Sequence, residues 1–209
     1  TFRDDLFAEY KGTREKMPDE LDVQISRIKE VIRALNIPIL ECEGFEADDV
    51  LGTIARQMRD QVPVHIITGD RDLLQLVDDN TRVELPPRRQ GATSEVYDAG
   101  GVLAYLGVRP DQVVDYKALV GDTSDNIPGV KGIGDKTAVK LLAEYGTLAN
   151  LYAHLEEIKG ALRQKLADGR ASAELSYQLA RIVTDAPVTV KLQDCLTHDF
   201  NAADVVALF

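Results

Sequence analysis

Between Pro18 and Asn36, apolar residues Leu21, Ile25, Ile28, Ile32 and Leu35 recur at intervals of three and four, which predicts an amphipathic helix over 18–36. Pro18 stands where a first-turn proline is tolerated, and Asp19 and Glu20 suit the positive end of the helix dipole. The run IPILEC, 37–42, is short and rich in β-branched residues, so it predicts a strand, broken by Gly44. EADDVLGTIARQMRD, 46–60, predicts the following helix. VHIIT, 64–68, is apolar almost throughout, the pattern of a strand buried on both faces. Gly69 turns the chain into a short helix, DRDLLQLV, and TRVEL, 81–85, predicts a third strand stopped by Pro86 and Pro87. Strands alternating with helices imply a parallel sheet with right-handed crossovers.

From about residue 98 the pattern is helical only. DAGGVLAYLG and PDQVVDYKALVG carry helical periodicity, with Asp98 and Asp111 as first-turn or capping acids. A polar loop, GDTSDNIPGVKGIGDK, leads into a helix ending near Tyr145, and two or three more helices fill 147–184. The tail, 185–209, is weakly patterned. The expected organisation is therefore an α/β core over 1–97 and a helical subdomain over 98–209. No internal repeat or low-complexity segment interrupts it.

At 209 residues and 23.0 kDa the chain is long enough to bury a core without disulfide staples. A compact monomer of that mass exposes roughly 9,600 Å². Apolar residues make up 44% and charged residues 28%, an ordinary soluble balance. No apolar run reaches the roughly 20 residues of a membrane span, and TFRDDLFAEYKG is not a signal-peptide opening. Cys42 and Cys195 are far apart, which fits free thiols in a cytoplasmic protein. The first residue is not Met, so a fragment of a longer polypeptide is expected. His65, His154 and His198 are read as structural.

A net charge of −11 taken alone argues against a nucleic-acid binder. Its distribution changes that view. Acids gather in three motifs: Glu46-Ala47-Asp48-Asp49, Asp70-Arg71-Asp72 and Asp122-Thr123-Ser124-Asp125. The first two follow predicted strands, and sites in open α/β sheets form beyond the carboxyl ends of strands. Seven carboxylates brought together repel one another and raise their pKa values. Hard divalent cations relieve this, because Mg²⁺ and Mn²⁺ take oxygen ligands. No histidine or cysteine lies within the motifs, which disfavours zinc. Any one motif alone also fits an ordinary helix cap or turn; three together favour a metal site.

Residues 129–137, Gly-Val-Lys-Gly-Ile-Gly-Asp-Lys-Thr, followed by AVKLLAEYG, form a helix–hairpin–helix pattern spanning about 115–146. Glycines let backbone approach a phosphate, and the next helix offers unpaired N–H groups. Lys131, Lys136 and Lys140 face only Asp135 in charge. The pattern reads a DNA backbone without sequence preference. A plain glycine-rich turn between packed helices is the plainer alternative.

The stretches TFRDDLFAEYKGTR, GFEADDVLGTIA, TGDRDLLQLV and LVGDTSDNIPGVKGIGDKTAVKLL closely resemble the 5′–3′ nuclease domains of bacterial DNA polymerase I, members of the flap endonuclease family. The resemblance runs from Thr1 to about residue 184. It implies a parallel-sheet, PIN-like nuclease core and hydrolysis of 5′ flaps and nicked duplex DNA by two metals in replication and repair. By the same resemblance Glu46, Asp48 and Asp49 serve one metal, and Asp70, Asp72, Asp122 and Asp125 mainly the second. Lys11 and Arg14, at the base of the family's helical arch, reach the scissile phosphate, and Arg3 contacts phosphate. Lys131, Gly132, Gly134, Lys136, Thr137 and Lys140 grip the duplex, while the carbonyls of Val130 and Ile133 hold a potassium ion. Gly129 lacks the hydroxyl that the family can place there. The implied partners are DNA and a polymerase domain in the same polypeptide, without a membrane.

The family's first strand, with its aspartate, and a second aspartate before the TFR motif have no counterpart in this sequence. Two other readings therefore stand beside the nuclease: a DNA-structure binding module without catalysis, and a metal-dependent ribonuclease of similar core. The hairpin loop disfavours the last.

Overall fold

The computed structural model describes residues 1–14, 17–87, 89, 91–196 and 199–208; His198 lies outside them. A short helix α1 (Phe2–Leu6) opens the chain, and a turn over 8–14 leads to α2 (Asp19–Ala34). Helix α3 (Ala47–Met58) precedes β1 (Val64–Ile67), a 3₁₀ helix over Arg71–Leu76, β2 (Thr81–Leu85) and β3 (Glu95–Tyr97). Helices α4 (Ala99–Leu106), α5 (Val113–Val120), α6 (Asp135–Tyr145), α7 (Leu148–Ala153), α8 (Gly160–Asp168), α9 (Arg170–Ala180) and α10 (Ala202–Val206) follow.

The sheet is small and mixed. β1 and β2 pair in parallel, from Val64 opposite Thr81 to Ile67 opposite Glu84, as strand–helix alternation predicts. β3 adds to β2 in the antiparallel sense, Val83 opposite Tyr97 and Leu85 opposite Glu95. Three residues are too few for a period-two signal, so the sequence pattern missed this strand. The run 37–42 is not a strand: it pairs with no strand among the described residues, and Ile37 and Leu40 are exposed. β1 also departs from expectation. Ile66 faces the core, but Ile67 is 67% exposed, so one face is covered rather than two.

One continuous core joins the sheet to the helices through Leu73, Leu74, Val83, Val102, Leu119, Leu142 and Leu151. α5 sits at its centre, packed on α6, α7, α9 and the 3₁₀ helix. α2 has an apolar stripe but buries no residue, and Val23 and Ile28 face solvent. The accessible surface, 13178 Å², accordingly exceeds that of a compact monomer of this mass.

After α9 the chain runs back along α3. The Ile182 N–H donates to Gln75 Oε1 (2.9 Å), Val183 N–H to Asp49 Oδ1 (2.8 Å) and Ala186 N–H to Thr53 Oγ1 (3.1 Å). Gln57 closes the tie, accepting from Val190 N–H (3.1 Å) and donating to the Val188 carbonyl (2.7 Å). These side chains serve a segment without strand partners of its own, where unpaired backbone would be costly.

Candidate functional site

Each acidic motif sits at an element boundary, the first two where helix N-termini leave N–H groups in need of acceptors and the third in the turn beyond α5. Glu46 is the N-cap of α3, and its own N–H donates to Asp49 Oδ2 (3.0 Å). Asp70 caps the 3₁₀ helix beyond β1, accepting the Asp72 N–H at 2.9 Å. Asp122 follows α5 and accepts from the Ser124 N–H (2.8 Å) and Oγ (2.6 Å). Asp70, Asp72, Asp122 and Ser124 line one cavity of about 510 Å³.

Charge relief among these acids comes from basic side chains. Lys117 of α5 reaches into the cavity and donates to both Asp72 and Asp122, the latter at 2.7 Å. Nearby, Lys11 Nζ bonds Glu46 Oε2 at 2.6 Å and stands 3.7 Å from Asp125, whose other oxygen accepts from Arg14 at 2.5 Å. The buried Tyr10 hydroxyl donates to Asp125 (3.3 Å) and lies 3.4 Å from Glu46. The acids therefore form two paired clusters. Among the described residues no three of them stand close enough to hold one ion in common, which departs from the expected single convergence.

Titration places Asp48 between the two clusters. Burial, then the charges of Asp70, Glu46 and Asp72, push Asp48 up to about 6. Burial also pushes Asp72 up, with Lys117 opposing. Burial works against ionised Asp122 too, but Lys117 and Ser124 outweigh it and hold Asp122 down to about 2. The Lys117 ammonium is disfavoured by burial, yet its two carboxylate partners raise its pKa.

Asp49 and Arg3 take a different role from the one expected. Arg3 is buried, and its two terminal nitrogens bond the Asp49 oxygens at 2.7 and 2.8 Å. It also donates to the carbonyls of Leu179 and Arg181. Asp49 Oδ1 accepts from Val183 N–H and Oδ2 from Glu46 N–H, so its four acceptor positions are filled. Burial alone would raise its pKa; Arg3 and the two N–H donors hold it low. Asp49 thus has no acceptor left for a metal, and Arg3 is no surface contact for phosphate. The sequence reading also missed Lys117 and Tyr10. A lone lysine in the apolar stretch VVDYKALVG was the available signal for Lys117; Tyr10 gave none.

The hairpin is built on backbone contact. Gly121 (φ 82°) and Gly129 (φ 61°) lie so close that a Cβ on Gly121 would fall 2.6 Å from Ile127 O. A Cβ on Gly129 would fall 2.7 Å from Val120 O. Val130 and Ile133 are buried, whereas Lys131, Gly132, Gly134, Lys136 and Lys140 are exposed and Thr137 is half-buried. Val130 O accepts the Ile133 N–H at 3.0 Å, and Lys165 of α8 donates to Gly132 O at 3.3 Å. α6 begins at Asp135 with Gly134 as its cap, so its first N–H groups open to solvent between Lys131 and Lys136.

Two family models match the chain. The 5′-3′ exonuclease N-terminal resolvase-like domain covers residues 1–107, and the 5′-3′ exonuclease C-terminal SAM fold covers 108–203. The DNA polymerase I of Caldicellulosiruptor bescii is 50% identical over 197 residues, which are 93% of this chain and 23% of that protein. The DNA polymerase I of Bacillus subtilis is 42% identical over 212 residues, covering 100% of this chain and 24% of its own length. The chain thus spans about a quarter of these relatives. Among solved structures, T5 D15 protein co-crystallised with metal ions superposes with a TM-score of 0.72 at 22% identity, over 88% of this chain and 70% of its own. The catalytic core of Rad2 in complex with DNA substrate gives 0.60 at 19% identity, over 100% of this chain and 67% of that one. These two likenesses concern the fold. The two domain models follow one another along almost the whole sequence, and the chain belongs to the 5′-3′ exonuclease family.

Proposed function

We propose that this chain is the cytoplasmic 5′ nuclease portion of a DNA polymerase I type protein, cutting 5′ flaps and nicked duplex with the aid of divalent cations. The observation that carries this reading is the placing of Lys11 and Arg14 directly on the carboxylates of Glu46 and Asp125, beside a second acidic cluster. Cations poised over carboxylates are the arrangement a phosphodiester needs: the phosphate takes over the cations and the carboxylates face metal.

The donor set fits a hard cation. It is all oxygen, and the mutual repulsion that raises Asp48 is what a divalent ion relieves. Asp48, Asp70, Asp72 and Asp122, with Glu46 and Asp125, would hold Mg²⁺ or Mn²⁺; Asp49 would not. When bound, such ions supply a more acidic water and neutralise charge on the phosphate. Lys11 and Arg14 orient the phosphate and offset its negative charge. Tyr10 braces Asp125 and Glu46. Lys117 keeps Asp72 and Asp122 from repelling each other before substrate arrives. Lys131, Lys136, Lys140 and the first N–H groups of α6 hold the duplex through its phosphates. The potassium expected at the Val130 and Ile133 carbonyls faces a rival, since the Lys165 ammonium already sits on the hairpin at Gly132 O. Comparing DNA affinity in K⁺ and Li⁺ at equal ionic strength tests that ion.

A second reading, DNA-structure binding without cleavage, is favoured by the separation of the acids into two clusters. One assay divides the two. A labelled 5′-flap duplex is cleaved in Mg²⁺ by the protein, and Asp70→Asn or Asp125→Asn abolishes cleavage while binding persists. Binding without any cleavage by the unsubstituted protein establishes the second reading.

A further inference from the structure

Arg71 lies between Asp70 and Asp72 in sequence, yet it forms no ion pair among the described residues. Its guanidinium sits instead over the Tyr105 ring, 5.0 Å from the centroid. Tyr105 is set edge-on against Tyr97, with centroids 5.5 Å apart and an angle of 66°. Stacked there, Arg71 remains exposed.

That side chain is a wall shared by two cavities. One is the acidic cavity; the other is a hollow of about 230 Å³ beyond β2, lined also by Pro86, Pro87, Arg89, Thr93 and Glu95. Glu95 is engaged by the Tyr97 hydroxyl at 2.5 Å. Among the described residues the hollow is thus lined by two arginines and by one carboxylate that already has a partner. It is roomy enough to admit a phosphate group, and guanidinium forks match phosphate geometry. Pro86 and Pro87 restrict the backbone on one side of it, and Arg71 is stacked on Tyr105.

We infer that Arg71 and Arg89 bind a backbone phosphate of the nucleic-acid strand that passes the acidic cavity, a contact apart from Lys11, Arg14 and the hairpin. The inference rests on the DNA-nuclease reading above. It gives the strand a grip on the β2–β3 side of the cavity, where the acidic charge alone would repel it.

The test is the salt dependence of affinity for a 5′-flap duplex, measured by fluorescence anisotropy in chelator, where no cleavage occurs. Arg71→Ala and Arg89→Ala should each weaken binding three- to tenfold at low salt. The double variant should reduce the log–log slope by about 0.9, the value for one phosphate contact, and each single variant by less. Tyr105→Leu keeps the charge but frees the guanidinium, so it should weaken binding less than Arg71→Ala. Lys136→Ala is the control for the underlying reading. If Lys136→Ala weakens binding while the Arg71→Ala/Arg89→Ala double variant binds with unchanged affinity and slope, the inference is overturned and the nuclease reading stands. If neither variant changes a salt-dependent affinity, both fall. Inorganic phosphate at constant ionic strength supplies a further arm. If it removes the arginine-dependent part of the affinity at low concentration, the hollow is a free-anion site and the strand assignment is wrong.

Discussion

The acidic cavity and the glycine hairpin are held by opposite means. The cavity and its acidic surroundings are held by charged side chains drawn from separate parts of the chain: Lys117 with Asp72 and Asp122 in the cavity, Lys11 and Arg14 with Glu46 and Asp125 in the second cluster, and Arg3 with Asp49 in the core behind them. The hairpin is assembled from backbone, with Gly121 and Gly129 in direct contact and no ion pair required to close it. A charge-built site answers to pH, salt and cations. The closure of a backbone-built site answers to side-chain volume, whatever salt and cations do to a ligand it holds. The division suits a binding surface that stays fixed beside a chemical site whose partners must exchange.

The difference can be broken from the cavity side most strongly at Arg3. Arg3→Ala leaves Asp49 ionised and buried at 0% exposure, so a loss of about 3–5 kcal/mol is expected in urea unfolding. The double variant Arg3→Met/Asp49→Leu should recover part of it, because no buried charge remains. From the hairpin side, Gly129→Ala combines a positive φ with overlap onto backbone, and about 2–4 kcal/mol is expected. Gly134→Ala, with nothing within 4 Å of the new methyl, should cost less than about 0.5 kcal/mol. Equal losses at the two glycines would contradict the backbone account.

Neighbouring Asp48 and Asp49 sharpen the same contrast through pH. Asp48 is pushed from 3.8 up to about 6 in the folded chain. Between those values the folded state holds a proton the unfolded state lacks, so stability falls as pH rises through that window. In chelator, Asp48→Asn should therefore stabilise the protein by about 1–2 kcal/mol at pH 8, after allowance for solvent screening, and by nothing below roughly pH 4. Asp49 runs the other way. Its depressed pKa makes its contribution complete above the ordinary carboxylate value and lost as pH falls through the folded one. Melting curves of the single variants across pH separate the two. The smallest effect on stability belongs to Lys136→Ala, which is exposed and should leave unfolding unchanged. Its effect is on binding: a salt slope reduced by about one, with all DNA sequences weakened alike.

The same contrast decides how much could be read beforehand. The hairpin is local, and its glycine spacing specified both the turn and the start of α6. The helices 19–34, 47–58, 113–120 and 135–145 were legible for the same reason, since periodicity is a property of a few adjacent turns. Positions of the acids were legible too. Their partners were not, because Arg3 meets Asp49 across 46 residues and Arg14 meets Asp125 across 111. Asp49 is fully buried and bonded to Arg3 while its neighbour Asp48 is half-buried, a distinction that depends in part on the returning segment after α9, whose Val183 N–H donates to Asp49. IPILEC has strand composition but no strand beside it, and composition cannot supply a neighbour.

That returning segment also sets an order of events during synthesis. Val183 and Ile182 supply N–H groups to Asp49 and Gln75, across 134 and 107 residues. The first half of the chain leaves the ribosome long before them, with the Asp49 carboxylate and the Gln75 amide still waiting for donors. Contacts of such separation form late and slowly. The hairpin needs α9 as well, where Ser176 Oγ accepts the Gly129 N–H at 2.9 Å and Ser172 Oγ donates to Gly129 O at 2.7 Å. A polypeptide stalled or cleaved between residues 177 and 181 would then carry a closed hairpin while Asp49 and Gln75 still lacked these donors.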